Sequence, residues 1–172
     1  MDIETIKTDI NIDKIYDEIN TFILNEDKYQ EQLNDLVLTT QICLQGTHEE
    51  MDPYFGSRNL QYIKDKGLEE HDFNIFLFPK LIYTNSILEE LNMFRTRIMI
   101  AKSKTCLSYH VDPLPRIHIP VKTNPHCFLV IDGICHHLPA DGSAYLCDVT
   151  KWHTAMNASF NHRIHIVGVT ED

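Results

Sequence analysis

Several features that place a protein quickly are missing from this chain. None of its five cysteines, Cys43, Cys106, Cys127, Cys135 and Cys147, belongs to a CxxC pair, and the count is odd. That spacing argues against a cysteine-built zinc site and against a disulfide frame. No run of lysine and arginine occurs, and the formal net charge is −10 with an isoelectric point near 5.4. Nucleic acid is therefore not expected as the main partner, since its binders usually carry a basic face. No apolar stretch approaches the roughly 18 residues needed to cross a bilayer. The N-terminus, MDIETIKTDINIDKIYDEIN, is acidic and lacks a basic segment followed by an apolar one, so no secretion signal is read there. No membrane partner is expected, the cytoplasm is the expected compartment, and the cysteines read as reduced, partly buried thiols. Low-complexity tracts are absent, and the single internal echo is four residues long. Nothing in the sequence bears on oligomeric state.

What is present is ordinary in bulk. At 172 residues, 43% hydrophobic and 23% charged, the chain suits one folded domain. Ile12, Ile15, Ile19, Phe22 and Ile23 follow helical spacing and predict an amphipathic helix over about residues 12–24. Tyr29, Leu33, Leu36 and Val37 suggest a second helical stretch, giving way to the strand-like LVLTTQICLQG. Residues 46–72 are rich in charge, glycine and turn formers and read as a long surface loop able to cover a site. Within it, Tyr54, Phe55 and Arg58 are candidate substrate contacts. Asn85 or Ser86 is a candidate cap for a short helix through ILEELNMF.

From Arg95 onward the texture changes. RTRIMIA, CLSYHV, RIHIPVKT, CFLVID, CHHLP, SAYLCDV, WHTAMN and RIHIVGV are short β-prone runs separated by turn-rich breaks. A series of about eight strands with no helices between them predicts an antiparallel sandwich or barrel. The expected organisation is a single domain, with residues 1–45 a helical cap, 46–94 loop and helix, and 95–172 the β core.

The echo is RIHI, found in PRIHIPV and again in HRIHIVGV. Residues two apart on a strand share a face, so Arg116 and His118 point one way and Ile117 and Ile119 the other. Arg163 and His165 repeat the arrangement. Either the isoleucines face the core and the polar pairs face water, or the polar pairs point inward toward something anionic or metallic. The neighbourhood bears on the choice. His110 and Asp112 leave one face of a strand end, and the phase carries to Arg116 and His118 if the strand resumes in register. His153 lies further on, and Arg163 follows it.

Two imidazoles and one carboxylate on one side of an ion form the facial triad of non-haem Fe(II) oxygenases. Three protein ligands leave three positions open, two for a bidentate 2-oxo acid and one for O2. An arginine deep in the same cavity suits the far carboxylate of that cosubstrate. A lone HxD is weak evidence in a chain with ten histidines. The distal histidine and the inward-phase arginine strengthen it. His136, His137 and Asp141 form a rival cluster, but adjacent strand residues face opposite ways, so exposed turn-flanking residues are the favoured reading. Trp152 is read as a packed aromatic rather than a substrate contact, and Asn157 and Ser159 as turn hydrogen bonders. His165 is either a satisfied interior histidine or a support of the site.

These residues resemble a known family. YHVDPLPRIHIPVKTN, GSAYLCDVTKWHTAMNAS and RIHIVGV are similar to segments of the aspartyl/asparaginyl β-hydroxylase family, which includes small bacterial proline hydroxylases. The resemblance spans about residues 95–169. It departs at Ser143, where the family usually has glutamate, and at Trp152 before the distal ligand. The resemblance implies a double-stranded β-helix (a cupin-like jelly roll). It implies that His110, Asp112 and His153 bind Fe(II) and that Arg163 binds the C5 carboxylate of 2-oxoglutarate. It further implies that His118 contacts the cosubstrate near C1, and that Arg116 meets an anion of cosubstrate or substrate. The expected activity is O2-dependent hydroxylation of an amino acid, free or as an aspartyl, asparaginyl or prolyl residue of a peptide. The alternatives are a cupin-like metal protein acting without 2-oxoglutarate, as isomerase or hydrolase, and a non-catalytic jelly-roll binding domain. Arg163 argues against the first alternative and the intact triad against the second.

Overall fold

The computed structural model describes residues 1–27, 39–53 and 60–170. The expected helix around Tyr29 to Val37, and the candidate contacts Tyr54, Phe55 and Arg58, lie outside them. The β-prone runs after residue 92 all contribute to strands: β5 (Met93–Ala101), β6 (Thr105–Cys106), β7 (Arg116–Lys122), β8 (Cys127–Ile131), β9 (Ile134–His136), β10 (Ala144–Cys147), β11 (His153–Asn157) and β12 (Arg163–Thr170). Earlier in the chain lie β1 (Ile3–Lys7), β2 (Thr39–Cys43), β3 (Gln45–Gly46) and β4 (Ile75–Phe76). A six-stranded sheet has the order β1-β10-β7-β12-β5-β2, and a four-stranded sheet the order β6-β11-β8-β9. The pairings are antiparallel. This mainly β arrangement of a larger and a smaller sheet is the double-stranded β-helix, or jelly roll.

The two RIHI segments are neighbours at the centre of the larger sheet. In the β7–β12 pair, Ile119 lies opposite Ile166 and His118 opposite Val167. In the β12–β5 pair, Ile164 faces Ile100 and Ile166 faces Ile98. Alternation sends Ile98, Ile100, Ile117, Ile119, Ile164 and Ile166 to the outer face. There they pack on helix α1 (Ile12–Ile19) through Ile15 and Ile19, and on α3 (Ile82–Glu90) through Ile87 and Leu88. Burying each such side chain stabilises the fold by about 1.5–3 kcal/mol. The opposite, inner face carries the arginines and histidines, so the polar pairs point inward.

Helix α1 follows the predicted periodicity. Its N-cap Asn11 accepts a hydrogen bond from the Lys14 amide, and a wider turn over Asn20–Leu24 carries Ile23 and Leu24 into the core. Helix α3 begins a turn before the expected caps. Its N-terminus is held by Glu18 of α1, whose carboxylate accepts from the amides of Tyr83 and Thr84, each at 2.8 Å. Asn85 and Ser86 instead bond to the carbonyls of Phe78 and Tyr83.

The expected division of the chain needs correction. Residues 1–45 are not only a cap, because β1 and β2 form the two edges of the larger sheet. Edge strands bury little; β1 has three exposed residues of five, so it lacks the alternation that betrays a strand. Segment 46–72 is likewise more than a surface loop. It contributes helix α2 (Leu60–Asp65) and a tight 3-10 turn over Glu70–Asp72, and Met51 and Ile63 pack with Cys43 and Phe73 in a separate apolar cluster. All five cysteines are free; Cys43, Cys127 and Cys147 are buried. Among the described residues, no helix is long and apolar enough to cross a membrane.

Candidate active site

Strand pairing brings the histidines of the triad together. His110 lies outside the named strands but bridges His153 at the start of β11, each amide donating to the other's carbonyl at 3.0 and 2.8 Å. The Asp112 amide is fixed in turn by the Val149 carbonyl at 2.9 Å. One nitrogen or oxygen from each of His110, Asp112 and His153 falls within 4.8 Å of the others, the single such metal-capable group among the described residues. The rival cluster does not assemble. His136 lies beside Asp2, His137 meets the Cys127 carbonyl, and Asp141 accepts from Ser143 and Tyr145.

Each ligand candidate is oriented by a hydrogen bond on its far side. His110 Nδ1 lies 2.7 Å from the Ser108 carbonyl and His153 Nδ1 lies 3.0 Å from that of Lys151. A carbonyl only accepts, so both rings carry a proton on Nδ1, and Nε2 is the nitrogen left to meet an ion. Arg116 Nε donates to Asp112 Oδ2 at 2.9 Å, leaving Oδ1, 3.9 Å from His110 Nε2, as the free oxygen. Burial works to raise the Asp112 pKa, but the charge and hydrogen bond of Arg116 outweigh it and hold the carboxyl ionised. Burial lowers the His153 pKa against the pull of its carbonyl partner, which favours the neutral, ligating form. Two imidazoles and one carboxylate make a donor set that fits Fe(II).

All six residues singled out from the sequence line one cavity between the sheets: His110, Asp112, Arg116, His118, His153 and Arg163. Its remaining wall is largely apolar, with Leu107, Leu129, Val149, Ala155 and Val167. Arg163 is 4% exposed, its Nε has no hydrogen-bond partner, and no carboxylate pairs with it among the described residues. Burial pushes its pKa down to about 10, so it remains cationic. His118 lies with its Nδ1 3.3 Å from His165 Nδ1. Burial, then the charge of Arg163, pushes its pKa down to about 3, so it is neutral near pH 7. His165 is thus the buried partner of His118.

Arg116 departs from expectation. Rather than offering its whole fork to a bound anion, it spends three N–H groups on protein carboxylates: one on Asp112, and one from each Nη on Glu70, at 2.7 and 3.1 Å. Glu70 comes from the 3-10 turn, is 6% exposed, and also takes Arg95 Nη1 at 2.7 Å. Burial opposes its ionisation, but Arg116 and Arg95 outweigh burial and hold its pKa low. Arg95 reaches it from a bulge in β5, where the register against β12 slips and Arg95 takes φ 48°.

Glu70, Arg95 and Arg97 were not singled out from the sequence. Arg95 and Arg97 stand two apart before an apolar strand, the same signal as RIHI. Glu70 had none, since GLEEH looks like any solvated loop. Trp152 is not packed inside; it is 54% exposed and stacks on Tyr109, ring centroids 5.6 Å apart. Asn157 is fully buried, and its side-chain amide bonds to the carbonyls of Ala101, Lys102 and Asn161, the turn-holding part expected of it.

Residues 54–169 match the family model described as aspartyl/asparaginyl beta-hydroxylase. No curated protein matches the chain. Among solved structures, a Pseudomonas putida prolyl-4-hydroxylase is similar at 12% identity and a TM-score of 0.49, over 98% of this chain and 91% of that one. The Cupin_2 domain of an XRE family transcriptional regulator from Enterobacter cloacae is similar at 15% identity and a TM-score of 0.37, over 49% of this chain and 86% of that one. With its HxD and distal histidine gathered at one point, and two thirds of its length matching the family model, the chain belongs to the aspartyl/asparaginyl β-hydroxylase family.

Proposed function

We propose that the protein is an Fe(II)- and 2-oxoglutarate-dependent dioxygenase that hydroxylates an amino acid, free or as an aspartyl, asparaginyl or prolyl residue of a peptide or protein. The observation that carries this reading is the convergence of His110, Asp112 and His153 in a cavity that also holds the buried guanidinium of Arg163, with which no carboxylate pairs among the described residues. A buried cation without a counter-charge is costly, and a dicarboxylate that also binds the ion relieves it.

His110, Asp112 and His153 would hold Fe(II), which with 2-oxoglutarate and O2 supplies an oxidant for an unactivated C–H bond as 2-oxoglutarate is decarboxylated to succinate. The chain's own part is positional. The Ser108 and Lys151 carbonyls fix both ligand imidazoles in the ligating tautomer. Arg116 keeps Asp112 ionised and presents one oxygen. Arg163 receives the distal carboxylate of the cosubstrate by a two-pronged contact, and neutral His118 supplies a hydrogen bond near its other end. The apolar walls exclude water from the reacting carbon.

The test is an aerobic incubation with Fe(II), 2-oxoglutarate and a panel of amino acids and peptides, read by mass spectrometry. One member gains a single oxygen with matching succinate release, and Asp112→Ala abolishes both. A wild-type protein that binds the metal yet yields neither oxygenated product nor succinate across the panel would refute the reading.

A further inference from the structure

We propose that Arg97 is a second anion-binding group of the cavity and that it receives a carboxylate of the organic substrate, which is therefore a carboxylic acid. This rests on the dioxygenase reading and deepens it. Arg97 stands on β5, is 8% exposed, and lines the same cavity as the triad and Arg163. One hydrogen bond from Nη1 reaches the Gln41 side-chain oxygen at 2.9 Å. Its Nε has no partner, and no carboxylate pairs with it among the described residues. A single neutral acceptor leaves most of a five-donor fork unsatisfied. The fork matches a carboxylate better than any neutral group.

Position separates Arg97 from the cosubstrate's anchor. Arg97 lies opposite Val167 and Arg163 opposite Ala101, so the two guanidiniums leave the sheet four residues apart along both β5 and β12. The charged neighbours of Arg97 are Arg95, Arg116 and Glu70. A dicarboxylate stretched between the ion and Arg163 leaves Arg97 unserved. The charge balance agrees. Among the described residues that line the cavity, Arg97, Arg116 and Arg163 stand with Asp112, three positive charges against one negative. A divalent ion and a dianionic cosubstrate cancel one another, so the excess of two positive charges persists and favours a further anion. Arg116 and Arg95 are already bound to Glu70, which makes Arg97 the guanidinium that faces it.

The experiment loads the protein with Mn(II) and 2-oxoglutarate and measures thermal shifts with the twenty free L-amino acids, each beside its carboxamide. At least one acid raises the melting temperature and its amide does not. In Arg97→Gln, affinity for that acid falls about tenfold to a hundredfold, the loss of one charged hydrogen-bonded pair, while 2-oxoglutarate affinity stays within about threefold, a shift under 0.7 kcal/mol. Arg97→Lys, which keeps the charge without the fork, retains part of the preference. The assignment is overturned if acid and amide bind alike, if no acid shifts the wild type, or if Arg97→Gln binds the acid as the wild type does. It is also overturned if Arg97→Gln loses 2-oxoglutarate as Arg163→Gln does, for then Arg97 serves the cosubstrate. Failure of 2-oxoglutarate to bind the wild type would strike the dioxygenase reading first. Binding of 2-oxoglutarate with no carboxylate preference strikes the Arg97 assignment alone.

Discussion

Glu70 shows how much of a candidate metal centre depends on a residue outside its ligand set. It neutralises Arg116 and Arg95 inside the protein, and Arg116 in turn fixes Asp112. Glu70→Gln removes the charge and keeps the shape. We expect a loss of about 3–5 kcal/mol of stability, because two buried guanidiniums lose the carboxylate they share. We also expect metal affinity to fall about tenfold to a hundredfold, the usual effect of disturbing a ligand's support. Urea unfolding and calorimetric titration of Mn(II) measure the two separately. Unchanged metal affinity in a destabilised Glu70→Gln protein would reduce Glu70 to a structural part. This residue was invisible in the sequence because its partners lie 25 and 46 positions away in the chain. His118, His153 and Arg163 lie on β7, β11 and β12, where strand alternation is a local rule that the sequence displays, whereas His110 and Asp112 lie outside the named strands and were legible only from their HxD spacing.

At the scale of elements, the strands of the body were legible, as was the edge strand β2 within the strand-like LVLTTQICLQG, and the edge strand β1 was not. β7 and β12 announce themselves through alternating isoleucines whose outer face is covered by α1 and α3. β1 is short and mostly exposed, so its place beside β10 follows only from pairing, with Ile3 opposite Cys147 and Thr5 opposite Tyr145. The start of α3 was misjudged for a related reason. Its cap is not the local Asn85 or Ser86 but Glu18, which bonds the amides of Tyr83 and Thr84 and the Thr84 hydroxyl. Glu18 therefore couples the two helices that cover the isoleucine face. Glu18→Ala is expected to cost about 1–2 kcal/mol, as the loss of a helix cap does. Chemical denaturation checks this, and a change below about 0.3 kcal/mol, less than the weakest capping effects, would show that water replaces the carboxylate without loss.

For the molecule as a whole, an interior lined with arginine and histidine makes stability depend on pH. Folding lowers the pKa of His118 from 6.5 to about 3, and that of His165 well below 6.5. The unfolded chain therefore binds protons that the native chain refuses. The stabilisation is complete above about pH 6.5 and is lost as pH falls toward the folded values, by about 1.4 kcal/mol per pH unit for each histidine. Glu70 and Asp112, also lowered, act in the same direction further into acid. Urea midpoints between pH 7.5 and 5 should fall steeply for the wild type and less steeply for His165→Gln. Equal slopes would contradict the assignment of His165 as a buried neutral partner. The fold class was legible at this scale from the succession of short strands. The contribution of residues 46–72 was not, since it rests on Ile63 and Phe73 closing a small core and on one carboxylate reaching inward.

The central claim is that one ion and one dicarboxylate share the cavity between His153 and Arg163. Anaerobic titration of Fe(II) followed by 2-oxoglutarate, read by visible absorption, tests it most directly. The account predicts a weak metal-to-ligand charge-transfer band that saturates with 2-oxoglutarate in the wild type. In Arg163→Gln it predicts saturation only at concentrations about tenfold higher or more, the effect of losing a charged hydrogen-bonded contact. A protein that takes up Fe(II) without the band, or an Arg163→Gln variant that saturates at the wild-type concentration, would contradict it.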